Sequence, residues 1–163
     1  MKAFLQKHRI LATLIPVLLV MWMIFGFSSQ NGQESGWLGE TVARFLVQLF
    51  APDFDTWTIQ MQEEVCTAVR LVIRKGAHFA EFALLGFCLM LHIDAIGRQF
   101  PLKWPWLIAW GIGTVYAATD ELHQFFVSGR NAAILDVCID SCGVIAGVGV
   151  MLWLLTRRKS VGK

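Results

Sequence analysis

Four long apolar runs restrict this chain to a small set of folds. Residues 10–27 carry no charge, and residues 76–93 are apolar apart from His78, Glu81 and His92. Residues 104–119 are uncharged, and residues 132–155 are interrupted only by Asp136 and Asp140. Within lipid every backbone N–H and C=O must find a partner in the protein, so a run of about 20 apolar residues crosses a bilayer as a helix. The pattern predicts an all-α fold, a polytopic membrane helical bundle with about four transmembrane helices near 10–27, 76–93, 104–121 and 132–155. Residues 1–163 then form a single membrane domain. The third run needs a turn of flanking sequence to cross. Composition agrees, with 56% hydrophobic and 16% charged residues against about 25% charged in an ordinary soluble domain.

Lys2, Lys7 and Arg9 before the first run, with the small-x-small pair Gly26 and Ser28 at its end, resemble the flanks of a secretory signal. The run exceeds the roughly 7 to 15 residues of a signal core and further spans follow, so a retained helix is expected. A net charge of +2, with bases at segment ends rather than in a stripe, argues against a nucleic-acid partner. The distribution of bases instead sets orientation. With the N-terminus inside, the cytoplasmic side holds Lys2, Lys7, Arg9, Arg98, Lys103, Arg157, Arg158, Lys159 and Lys163 in short segments. The other side holds Arg44, Arg70, Arg74, Lys75 and Arg130 in longer ones. Both termini are therefore expected in the cytoplasm, with Trp104, Trp106 and Trp153 as inner-face anchors. A cytoplasmic membrane, crossed several times, is the expected location.

Residues 28–75 separate the first two runs. SSQNGQESG opens this segment as a turn-rich stretch. Trp37, Leu38, Thr41, Val42, Phe45, Leu46, Leu49 and Phe50 then recur at helical spacing, opposite Glu40, Arg44 and Gln48. This predicts an extracytoplasmic amphipathic helix, packed on the bundle or lying on lipid. Pro52 ends it. A further helical pattern from Thr56 onward runs toward the second span and can join it without a break. Cys88, Cys138 and Cys142 fall in predicted spans, and Cys138 with Cys142 has no third soft ligand nearby. Gly143, Gly147 and Gly149 permit close helix approach, to the second span or to a second copy of the chain in a homo-oligomer through Gly143 and Gly147.

Polar residues converge on the outer end. Arg74, His78 and Glu81 stand at i, i+4, i+7 and share one helix face; Asp136, Asp140 and Gly143 repeat that spacing on the last span. Between them lies DELHQFFVSGR, with Asp120, Glu121, His123, Gln124, Ser128 and Arg130, while Ser28, Ser29 and Gln30 arrive from the first span. Intramembrane carboxylates cost about 2.5 to 3.5 kcal/mol on insertion scales and are candidates for function. His78, Glu81, Asp120, Glu121, His123 and Asp136 are the candidate acid, base or catalytic groups. Ser28, Gln30, Arg74, Lys75, Gln124, Arg130 and Asp140 are the candidate substrate-binding groups. Three functional readings follow from these residue types. Arginines can grip a phosphate or carboxylate of an envelope lipid or lipid-linked precursor. Histidines and carboxylates can hold a divalent metal, although no compact HExxH is present, so no metal or other cofactor is assigned. Histidine and carboxylate can serve as base and acid for hydrolysis or transfer, with Ser128 a nucleophile only if a base stands beside it. The architectural alternative is a charge network that braces the bundle.

FSSQNGQES, RKGAHFAEFALLG and TDELHQFFVSGRNAAILDVCIDSCGVIAG, in that order, resemble the VanZ-like family over almost the whole chain. The resemblance implies a small bacterial polytopic membrane protein, in a family of which one member is associated with reduced susceptibility to teicoplanin. The family's polar positions map onto Ser28, Ser29, Gln30, Lys75, His78, Glu81, Asp120, Glu121, His123, Gln124, Arg130, Asp136 and Asp140. Phe82 and Ser128 stand where family members commonly carry Tyr and Pro. The resemblance implies no particular reaction.

Overall fold

The computed structural model describes the backbone of residues 2–30, 32–128 and 133–161, and side chains from 39–128 and 133–158 together with most of those from 6–30. Helices α1 (Lys2–Ser28), α2 (Gly32–Phe50), α3 (Ile59–Gly97), α4 (Pro105–Phe125) and α5 (Ile134–Val161) account for nearly all of it, with a short 3-10 turn at Phe54–Thr56 and no strand among the described residues. Local chemistry sets several boundaries. Thr58 caps α3 by accepting from the Met61 N–H, and Pro105 begins α4 at a position where its missing N–H costs nothing.

Contacts between helix ends fix the topology. Gln6 donates to Ala95 O at 2.7 Å and Arg9 lies 3.6 Å from Asp94, so α1 begins where α3 finishes. Ser28 meets Asp120 where α1 and α4 finish, and Lys75 of α3 meets Asp136 near the start of α5. Thus α1 and α4 run one way and α3 and α5 the other. One end of the bundle gathers Ser28, Lys75, Asp120 and Asp136 and is called the polar end; the other gathers Arg9, Asp94, Arg98 and Arg158 and is called the basic end.

Among the described residues three helices are long and apolar enough to cross a membrane: His8–Ser28 of α1, α3, and Ile134–Arg158 of α5. The uncharged run at 104–119 predicts a fourth span near 104–121. With 21 residues, α4 reaches about 31 Å, but Trp, Gly and Tyr dilute its apolar character and Asp120 and Glu121 interrupt its last turns. It packs against α5, α3 and α1 through buried Ala109, Gly113 and Ala117. A helix partly screened by neighbours has less need of apolar side chains than one surrounded by lipid.

Helix α3 runs without a break from the segment after Thr58 into the second span. Its 39 residues extend about 58 Å, nearly twice a bilayer's hydrocarbon core. The surplus turns carry α2, which returns antiparallel along them. Ala43 and Val47 of α2, Phe54 and Cys66 form a small core there with Val65, Val69 and Ile73. Glu40 bridges Arg70 at 3.0 Å and sets the rotation of α2. This decides which side of α2 packs on the bundle. Val42, Phe45, Leu49 and Phe50 do lie on one side of a helix but are exposed. Smaller Ala43 and Val47 bring the axes closer and take the buried side.

The widest helix contact joins α3 to α5. A Cβ added at Gly147 would stand 1.8 Å from Ala83 O, and one at Gly143 2.4 Å from Phe79 O. At Gly143 and Gly147 the close approach is made by α3 of the same chain. Around the contact lies the main core, including Ile24, Phe82, Leu85, Leu89, Ala117, Val144 and Val148.

Candidate functional site

The polar end is built where all four long helices meet. Because Gly143 seats α5 directly on α3, the polar residues one and two turns before it face α3 at the same level. His78 Nδ1 lies 4.0 Å from Asp140 Oδ1, and Lys75 pairs with Asp136. The two stripes read from sequence therefore meet, though the cation on Asp136 is Lys75 rather than its neighbour Arg74. Arg74 is exposed at the mouth of the crevice that these residues line with Ile139. The crevice holds about 10 Å³, room for roughly one water molecule. Asp140 is only 1% exposed, and neither carboxylate oxygen has a hydrogen-bond partner among the described residues.

A second group joins α1 to α4. Asp120 Oδ2 accepts from Ser28 Oγ at 2.8 Å and from Gln124 Nε2 at 3.0 Å. Its other oxygen is buried without a partner among the described residues. Beside it, Ala133 N donates to Glu121 Oε1 at 2.6 Å. Ala133 immediately precedes α5, so α4 supplies the carboxylate that caps the α5 N-terminus. The two groups form one electrostatic unit: Asp120, Glu121, Asp136 and Glu81 all act on Asp140, and Arg74 acts on Glu121.

Glu81, half-buried on α3, belongs to this unit through its charge, but not every expected residue does. Gln30 is exposed just past α1. Arg130 lies outside the described residues. His123 stands apart from His78, stacked on Phe25 at 4.7 Å between ring centres, with Nε2 3.2 Å from Ser29 Oγ. That serine is within reach of a base, but its hydroxyl donates to Phe25 O at 2.6 Å. With the proton so engaged, the histidine acts as donor to Ser29, the opposite of nucleophile activation. Ser128 is exposed and makes no side-chain hydrogen bond among the described residues. No three His, Cys, Asp or Glu side chains among those residues are placed to hold a metal ion together.

Deeper polar bonds escaped the sequence reading. Trp110 donates to Ser141 Oγ at 3.0 Å, Thr114 shares that hydroxyl at 2.9 Å, Tyr116 donates to Met21 O at 2.7 Å, and Thr13 lies 3.0 Å from His92 Nδ1. Each ties two helices together at a depth where water offers no substitute. Single Ser, Thr and Tyr residues in apolar runs give no periodic signal that marks them as partners.

The ion pair at the crevice yields a direct prediction. Lys75 and Asp136 side chains are 36% and 21% exposed, intermediate between surface and buried pairs. Asp136→Asn should cost about 1 to 3 kcal/mol by stranding the lysine, and Lys75→Met combined with Asp136→Leu should restore most of it. Thermal melts of the three proteins in one detergent would check this; a double variant no more stable than Asp136→Asn would count against charge stranding.

No curated protein and no solved structure was found to match the chain. A family model described as VanZ/LLP1 matches residues 13–156, from within α1 to near the end of α5 and through every residue of the polar end. With that match covering nearly its whole length, the chain belongs to the VanZ/LLP1 family.

Proposed function

We propose that the polar end faces out of the cytoplasm and binds the anionic headgroup of an envelope lipid or lipid-linked precursor, with Arg74 as the gripping cation. Arg74 carries the assignment. It is exposed at the mouth of the crevice and makes no hydrogen bond or ion pair among the described residues, whereas Lys75 beside it is engaged by Asp136. A guanidinium left open at a membrane-facing cleft suits bidentate contact with phosphate or carboxylate. The interior behind it holds Asp120, Glu121, Asp136 and Asp140, so an anion is repelled from depth and docks at the rim. One water in the crevice can link His78 to Asp140, which lie 4.0 Å apart, and together they form the group for proton exchange with a docked ligand.

Native mass spectrometry on protein extracted in mild detergent tests the binding. Wild type should retain anionic lipid, Arg74→Gln should lose about tenfold of that retention at unchanged melting temperature, and Arg74→Lys should recover part of it. Equal retention by wild type and Arg74→Gln would overturn the assignment. The outward orientation has its own check. A reporter fused after residue 163 should behave as cytoplasmic, fluorescing as a green fluorescent protein and staying inactive as an alkaline phosphatase; the reverse pattern would invert the site. A ligand of this class is also the route by which the chain would bear on glycopeptide susceptibility.

A further inference from the structure

At the basic end, far from Arg74, three helices bring arginines together from widely separated parts of the sequence. Arg9 of α1, Arg98 at the α3 C-terminus and Arg158 of α5 line a cleft of about 430 Å³, with Leu155 beside them. That volume falls within the range of small-ligand sites, roughly 300 to 1,000 Å³. One carboxylate serves these guanidiniums: Asp94 lies 2.9 Å from Arg98 and 3.6 Å from Arg9. Arg158 makes no hydrogen bond or ion pair among the described residues. Three cations against one anion leave two positive charges in excess.

Topology alone asks only that bases be present on the inner side; it does not ask that they converge on one cleft. Asp94 holds two of the three, so part of the side-chain ordering that a ligand requires is already present. The depth is also defined. Lys103 sits 4.9 Å over the ring of Trp104 and Arg157 4.0 Å over that of Trp153, and both tryptophans are exposed. Exposed Trp with adjacent cations marks the headgroup level of a bilayer. From these observations we infer that the Arg9, Arg98 and Arg158 cleft is a phosphate-binding site, its phosphate supplied by an anionic lipid headgroup or by free phosphate at that face.

Full-length protein in a neutral detergent tests this, by thermal stability and native mass spectrometry. The probes are phosphatidylglycerol, phosphatidylcholine at the same mole fraction, and inorganic phosphate against chloride at matched ionic strength. Stabilisation by phosphatidylglycerol alone assigns the site to a lipid headgroup, and stabilisation by phosphate as well assigns it to phosphate from either source. Arg158→Gln leaves the Asp94 pairs in place and should weaken the response about fivefold. Arg158→Lys, which keeps the charge and loses the fork, should weaken it less, and Arg74→Gln at the opposite end should leave this component unchanged. The proposal fails if phosphatidylglycerol and phosphatidylcholine act alike and phosphate does no more than chloride. It fails equally if Arg158→Gln and Arg9→Gln each respond as wild type.

Discussion

Gly147→Ala should destabilise the detergent-solubilised protein by about 3 kcal/mol or more, a large share of the roughly 5 to 15 kcal/mol of a typical domain. The added Cβ would lie 1.8 Å from Ala83 O, 2.7 Å from Ala83 C and 2.7 Å from Phe87 N, all backbone atoms. No rotamer change relieves such a contact, so α3 and α5 must separate. Separation reaches further than the glycine, because the same seating sets His78 opposite Asp140 and Lys75 opposite Asp136. Gly149 stands two residues on with nothing within 4 Å of its added Cβ. Gly149→Ala should be neutral or stabilise by a few tenths of a kcal/mol, since Ala favours helix over Gly. Thermal melts followed by near-ultraviolet circular dichroism would separate the two; equal melting temperatures would mean that the tight α3 to α5 seating is wrong.

Ser28→Ala is the second large effect, at about 1.5 to 3 kcal/mol. Ser28 is 1% and Asp120 4% exposed, and the serine hydroxyl is one of two donors on the only oxygen of Asp120 that has any among the described residues. Removing it leaves Gln124 alone to hold a buried carboxylate. Ser29→Ala, one residue along, should cost no more than about 0.5 kcal/mol, because Ser29 is exposed and its bonds to Phe25 O and His123 are open to replacement by water. Denaturation of both variants in one detergent would decide this; a Ser29→Ala loss matching that of Ser28→Ala would remove the distinction between a buried and an exposed end of α1.

Much of this arrangement could be read from the residues alone, for identifiable reasons. Lipid allows few backbone solutions, so apolar runs in α1, α3 and α5 led directly to helices, and the helical pattern from Thr56 onward allowed the continuous α3. The i, i+4 spacing of His78 with Arg74 and of Asp140 with Asp136 placed two polar stripes at one level. Spacing could not say which cation meets Asp136, because Arg74 and Lys75 are about 100° apart on the helix and the choice depends on how Gly143 and Gly147 seat α5. The same limit left the packing side of α2 open. Its larger apolar residues suit lipid as well as the bundle, while close approach to α3 favoured Ala43 and Val47. Arg9, Arg98 and Arg158 offered no local motif at all, since only the crossing of three helices brings them to one cleft.

An experimental structure of the protein in a bilayer nanodisc containing anionic lipid tests the polar end most directly. A headgroup phosphate or carboxylate should appear within about 3 Å of the Arg74 guanidinium, with His78 and Asp140 behind it and Lys75 still on Asp136. Arg74 turned instead onto a carboxylate of its own chain, with the crevice of Lys75, His78, Asp136 and Asp140 sealed and no headgroup at its mouth, would make the polar end a brace for the bundle rather than a binding site.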